Sequence, residues 1–234
     1  MIEEAPPRKL DFAPSTSRVP RYASLYRFGG AATPRPVIVY VGGAISLADY
    51  LARRSTHPEP VAACLRAAVA ASRLRALDAL ICPCPLGLGP DGPDGFVEHY
   101  DRDLVPALGA APSALGCVGY SAGAAIAAHL AIVAGARAAA CYGGVGVTDA
   151  VHALTPLTAA ATAPELGLFR NRDDLVPDPA TVARALGGAS ALRPVVHAAR
   201  PGGHPFVDYA ANGTVTAAFR FVIERLSDET EGAG

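Results

Sequence analysis

The chain contains no tryptophan, and aromatics make up only 6% of its 234 residues. Aliphatic side chains are therefore expected to wall any binding cleft. Charged residues amount to 18%, the formal net charge is −1, and no Lys/Arg cluster stands out. Such a surface does not suit nucleic acid. No uncharged run of about eighteen apolar residues occurs, so no membrane span is expected. The first residues, Met1 to Ser17, carry Glu3, Glu4, Arg8, Lys9 and several prolines. They lack the basic start and apolar stretch of a secretory signal.

Cysteine is scarce and odd in number: Cys64, Cys82, Cys84, Cys117 and Cys141. No framework spacing is present, which argues against a disulfide scaffold. Cys82, Cys117 and Cys141 lie in apolar runs and read as small core residues. Cys82-Pro83-Cys84 is too close for the usual metal-ligand pair and has no second pair. No metal and no cofactor is expected, and the cytoplasm is the expected compartment.

What is present is alternation of strand and helix. Residues 36–41 form a continuous apolar run, as in a strand covered on both faces. Strands are also expected at 19–28 (an edge strand), 79–82, 115–118, 138–142, 164–169 and 192–198. Helices are expected at 60–77, 96–108, 124–134, 179–186 and 205–226. The pattern predicts an α/β fold, a mostly parallel twisted sheet with helices on both faces. Residues 1–18 read as a flexible arm, and 19–234 as a single domain without a large lid. Ligands of such sheets bind beyond the carboxyl ends of the strands.

Gly119-Tyr120-Ser121-Ala122-Gly123 stands at one such end, between an apolar strand and an Ala-rich helix. This is the Gly-x-Ser-x-Gly pattern of a tight turn that lifts out a nucleophilic serine. Small residues two positions either side let strand and helix nearly touch. A serine needs a base to remove its proton. Among six histidines, His204 is the candidate, in the loop Gly202-Gly203-His204-Pro205 between the last strand and the last helix. His129 and His197 fall inside a helix and a strand; His57 and His152 lack a sharp context. The carboxylate that fixes the base is sought in Arg170-Asn171-Arg172-Asp173-Asp174, with Asp149 as a weaker alternative. Asp178 is better placed to cap the following helix. The Ala122 amide, at a helix N-terminus, is one oxyanion donor, and Gly43 or Ala44 the other.

The order Ser121, an aspartate of this loop, His204 is that of α/β-hydrolases. The chain resembles that superfamily over residues 20–226. Within it the chain is similar to the small, lidless dienelactone-hydrolase-like proteins. The stretches that carry the likeness are Cys141-Tyr142-Gly143-Gly144-Val145-Gly146, Leu168 to Pro177, and Gly202-Gly203-His204-Pro205-Phe206. The resemblance implies that the triad acid is the aspartate four residues before the Val-Pro proline, Asp173. It implies His204 as base. Dienelactone hydrolases carry cysteine at the elbow and a glutamate after the third strand, where this chain has Ser121 and Gly42. The paired change points to a general ester. The stretch Phe96 to Leu108 resembles a helix of the esterase-D-like enzymes. Together these imply a serine carboxylesterase acting on a small-molecule ester, with homo-oligomerisation left open. His99 and Tyr142 are further residues that could line the site, Tyr142 reading better as packing. Arg170 and Arg172 read as solvated surface residues.

Overall fold

A computed structural model describes residues 3–12, 21–30, 35–52, 58–85, 92–144, 146–149, 163–186 and 192–227. Strand β3 (Val37–Ile45) lies in the interior of the sheet, and its alternate side chains enter opposite faces. Val37, Val39 and Val41 join one buried cluster, while Ile38 and Tyr40 join the other. Both faces are apolar, which is why the sequence shows a run and no alternation.

The other strands are β1 (Glu4–Phe12), β2 (Arg21–Phe28), β4 (Leu77–Pro85), β5 (Leu115–Tyr120), β6 (Ala138–Tyr142), β7 (Glu165–Phe169) and β8 (Arg193–Val196). They form one eight-stranded sheet in the order β1-β2-β4-β3-β5-β6-β7-β8. Strands β3 to β8 are parallel, and only the β1–β2 and β2–β4 pairings are antiparallel. Helices α1 (Leu47–Leu51), α2 (Pro58–Ala70), α3 (Gly92–His99), α4 (Val105–Leu108), α5 (Gly123–Val133), α6 (Pro179–Leu186), α7 (Phe206–Ala211) and α8 (Thr214–Ser227) complete the described elements. Helix α5 packs on β3, β5 and β6 from one face, and α3 packs on α5. Helices α2 and α8 pack on each other and cover the opposite face.

The supposed N-terminal arm is corrected over residues 4–12, which form β1. Pro6 and Pro7 fall in a register shift between Ala5↔Arg27 and Arg8↔Leu25. An edge strand tolerates proline at a bulge, because the missing N–H faces no partner. Arg66 of α2 holds Glu4 with two hydrogen bonds of 2.7 and 2.9 Å, and Arg8 donates to the Ala107 carbonyl at 2.5 Å. Strand β2 is consequently not an edge.

Three helix boundaries also differ. Helix α2 stops at Ala70, where Ser72 Oγ donates to the Val69 carbonyl at 2.8 Å and accepts from Leu74 N at 3.3 Å. Leu77 therefore begins β4. The stretch expected as one helix at 96–108 starts at Gly92 and contains a π-helical segment, Tyr100–Leu104. Pro106 follows and has no N–H to donate back into the preceding turn. The last helix is broken at Asn212-Gly213, with Gly213 at φ 77°. Asn212 Oδ1 accepts from Thr214 N at 3.0 Å and so caps α8.

Candidate active site

Ser121 has φ 51°, and it is the one non-glycine residue with positive φ among the described residues. That backbone is strained for an L-residue. It is held because Ser121 N donates to the Tyr142 carbonyl at 3.1 Å, and Ala124 N to the Ser121 carbonyl at 3.0 Å. The flanking glycines explain how strand and helix approach. A Cβ on Gly119 would lie 2.5 Å from the Gly123 carbonyl oxygen. A Cβ on Gly123 would lie 2.3 Å from the carbonyl oxygens of both Val41 and Gly42. These obstacles are backbone atoms and cannot turn aside. The variant Gly123→Ala is therefore expected to lose about 3 kcal/mol or more, lowering Tm by about 10 °C. Thermal unfolding followed by circular dichroism checks this; an unchanged Tm would contradict the close approach of β3 and α5.

Gly42 and Gly43 occupy a bulge in β3, between the pairs Val41↔Cys82 and Ala44↔Cys84. The single residue opposite them is Pro83, which has no N–H to leave unpaired. The bulge brings Gly43 beside the serine: a Cβ there would lie 3.4 Å from Ser121 Cβ and 2.8 Å from the Tyr120 ring. Ala44 is exposed and back in register with β4. Ala122 immediately precedes α5, so its amide belongs to the first turn.

Ser121 Oγ lies 3.1 Å from His204 Nε2. His204 Nδ1 in turn lies 3.1 and 3.0 Å from the two carboxylate oxygens of Asp174. The aspartate at the histidine is thus Asp174, and the expectation of Asp173 is corrected. Beyond β7 and β8 the chain keeps pairing: Arg172 N donates to the Arg200 carbonyl at 2.7 Å, and Asp173 N to the Gly202 carbonyl at 3.0 Å. Asp173 is exposed, while Asp174, one residue on, is turned inward and only 2% exposed. Asp149 lines a separate cavity, of about 220 Å³, with Cys141, Leu168, Phe169 and Val182. Asp178 accepts from Thr181 N at 3.3 Å and caps α6, as expected.

Burial drives the Asp174 pKa up, but hydrogen bonds from Tyr209, the Val176 amide and His204 outweigh it and hold the carboxyl below its ordinary value. The loops around it are tied to one another. Asn171 Nδ2 donates to the Gly203 carbonyl at 2.9 Å, and Asn212 Nδ2 donates to Asn171 Oδ1 at 2.7 Å and to the Pro201 carbonyl at 2.6 Å. Gly203 N donates to Asp208 at 2.8 Å. Tyr120 OH donates to the His204 carbonyl at 2.6 Å, and its ring stacks on both His204 and Tyr142. Arg170 is not a solvated surface residue: its guanidinium donates to the Asp174 carbonyl at 3.2 and 2.5 Å. Arg172 is exposed.

Beside Ser121 and His204 lies a cavity of about 370 Å³, lined by Tyr40, Gly43, Ile45, Tyr120, Phe206 and Val207 among others. Its walls are more aromatic than the composition suggests, since Tyr40, Tyr120 and Phe206 all line it. Tyr142 packs beneath, its hydroxyl 2.8 Å from that of Tyr40. His99 is elsewhere. It is buried between Phe12 and Phe96 with Nδ1 2.7 Å from Asp103, and burial lowers its pKa to about 4 against the pull of Asp103. His129 sits in α5, 2.9 Å from Asp94, and His197 stacks on Phe169 at 3.9 Å. His57 and His152 lie outside the described residues.

No family model and no curated protein matches the sequence. Solved structures do. A ferulic acid esterase aligns with TM-score 0.65 at 12% identity, over 95% of this chain and 99% of its own. An S-formylglutathione hydrolase from Agrobacterium tumefaciens aligns with TM-score 0.61 at 14% identity, over 94% and 95%. An esterase from Pyrobaculum calidifontis aligns with TM-score 0.59 at 16% identity, over 92% and 85%. The chain has the α/β-hydrolase fold. In this chain the sheet order, the bulged end of β3 and the turn at Ser121 bring Gly43, Ser121 and His204 to one edge. Tyr209, Asn171 and Asn212 are the site residues that sequence reading missed. No local pattern marks them, since the partners in these hydrogen bonds lie 32 to 41 positions away.

Proposed function

We propose that the protein is a serine hydrolase that cleaves carboxylic esters of small molecules through an acyl-enzyme. The observation that carries this is the unbroken chain Ser121 Oγ–His204 Nε2 and His204 Nδ1–Asp174, at 3.1 and 3.0 Å, starting from a serine at φ 51°. The esterase and hydrolase names borne by structurally similar proteins agree with it. The side chain of His204 is 41% exposed, so the base is open to substrate and water.

In this reading Ser121 Oγ attacks the acyl carbonyl as His204 takes its proton, and Asp174 holds the resulting imidazolium. The Ala122 and Gly43 amides donate to the oxyanion. Collapse expels the alcohol, which receives the proton from His204. Water then enters, loses a proton to His204, attacks the acyl carbon and releases the acid with Ser121 restored. The five free cysteines suit a reducing compartment, and this supports a cytoplasmic location.

Thioesterases and peptidases use the same groups, so leaving-group chemistry is the test. Matched butyryl p-nitrophenyl ester, thioester and anilide are compared by kcat/KM. The ester is expected to exceed the anilide by about 10³-fold or more, because one oxyanion site and one general acid must otherwise expel a far poorer leaving group. Turnover of the anilide or the thioester above that of the ester would point to a peptidase or thioesterase.

A further inference from the structure

We infer that Tyr209 is a positioning residue of this site: its buried hydroxyl fixes the Asp174 carboxylate so that one face of it is presented to His204. The inference rests on the proposed Ser121–His204–Asp174 reading and deepens it.

The hydroxyl of Tyr209 has two partners with opposite demands. Asn171 N donates to it at 3.2 Å, and it meets Asp174 Oδ2 in a short hydrogen bond. A phenol oxygen that already accepts from an amide turns its own proton to the carboxylate, which can only accept. Tyr209 is fully buried, and burial together with the neighbouring carboxylate raises its pKa, so the proton stays on the phenol. The Val176 amide fills Asp174 Oδ1 at 3.0 Å. One donor on each oxygen leaves the remaining lone pairs for His204 Nδ1, which sits at 3.1 and 3.0 Å from the pair. The carboxylate cannot rotate without breaking one of these bonds.

Tyr209 itself is fixed by the site's aromatic floor. Its ring lies 5.3 Å from Tyr142 and 5.9 Å from Tyr120, and Tyr120 stacks on His204 at 5.6 Å. The other charged or titratable groups around the trio, among the described residues, are few. Arg170 faces the Asp174 carbonyl and lies 3.8 Å from Asp178; Asp208 accepts from Gly203 N; Asp173 and Arg172 are exposed beside it; Tyr120 and Tyr142 are phenols. None of them replaces the Tyr209 donor on Asp174 Oδ2.

A carboxylate that loses a donor concentrates its charge on the remaining partner. It then holds the imidazolium more strongly, and the neutral histidine that catalysis requires appears only at higher pH. Tyr209→Phe keeps the ring packing and removes one oxygen. The acidic limb of its kcat/KM profile is expected to move up by about one pH unit. The plateau kcat is expected to fall about tenfold, with KM within about twofold, as a looser Asp174 misaligns the base. Tyr142→Phe is the control: it loses the buried hydroxyl pair with Tyr40, and it is expected to lower Tm without moving the limb. A readout that leaves Tyr209 intact is the hydroxyl proton itself. In protein labelled with ¹³C-tyrosine it is expected to exchange slowly and to shift when Asp174 becomes asparagine. A fast-exchanging proton, or a folded Tyr209→Phe variant with the limb and kcat of the parent, would overturn the inference. Full activity in Ser121→Ala would instead overturn the proposed function beneath it.

Discussion

Replacing Asp174 by asparagine is expected to slow hydrolysis of an activated ester by about 10³- to 10⁴-fold, while Asp173→Asn stays within about threefold of the parent. The contrast follows from where the two side chains go. Asp173 lies on the exposed side of the strand extension that pairs with residues 200–202. Asp174 is the buried partner of His204 Nδ1. An amide in its place keeps the shape but presents an N–H where the imidazole needs an acceptor, so the wrong tautomer is favoured. Stability should respond as well. The folded-state pKa of Asp174 is depressed, so the carboxylate stabilises the fold above the ordinary carboxylate range. That contribution fades as pH falls through the lower folded value. Urea unfolding of Asp174→Asn is therefore expected to differ most from the parent near neutral pH and least in acid. Comparable losses of turnover in both variants, or a larger loss in Asp173→Asn, would return the role to Asp173.

Replacing Ser121 by alanine is expected to lower kcat by about 10⁴-fold or more, since no other hydroxyl takes part in the proposed covalent step. The fold should persist. Ser121 also carries the strain of φ 51°, and this separates two inactive variants. Alanine retains a Cβ at that backbone angle and glycine does not. Ser121→Gly is expected to be more stable than Ser121→Ala by about 1 kcal/mol, or about 2–4 °C in Tm. Equal stability would remove the argument that the turn holds the serine under strain.

The features readable in the sequence were those set by neighbours in the chain. The apolar run at Val37–Val41 marks a two-faced strand because alternate residues enter opposite clusters. Gly119 and Gly123 mark the turn because any Cβ would strike backbone. The glycines before His204 likewise mark a loop. What the sequence did not disclose depends on distant partners. The choice between Asp173 and Asp174 is made by pairing of residues 170–173 with residues 200–202 and by Tyr209, 35 positions on. Register against Val176-Pro177 cannot sense that contact. The strand at Glu4–Phe12 was hidden because Pro6 and Pro7 argue against any strand until a bulge and an edge position accommodate them. The break at Asn212-Gly213 was hidden because the apolar spacing of the flanking helices runs on across it. Its use is local to the site: Asn212 caps α8 and, through Asn171 and Pro201, ties the two loops that carry Asp174 and His204.

The central claim is that Ser121 is a nucleophile activated by His204. Incubation with a fluorophosphonate, followed by peptide mass analysis, tests it most directly. One adduct per chain is expected, on the peptide bearing Gly119-Tyr120-Ser121-Ala122-Gly123, absent in Ser121→Ala and formed at least about 10³-fold more slowly in His204→Gln. No adduct on folded protein, or an adduct on another residue with ester turnover intact, would contradict it.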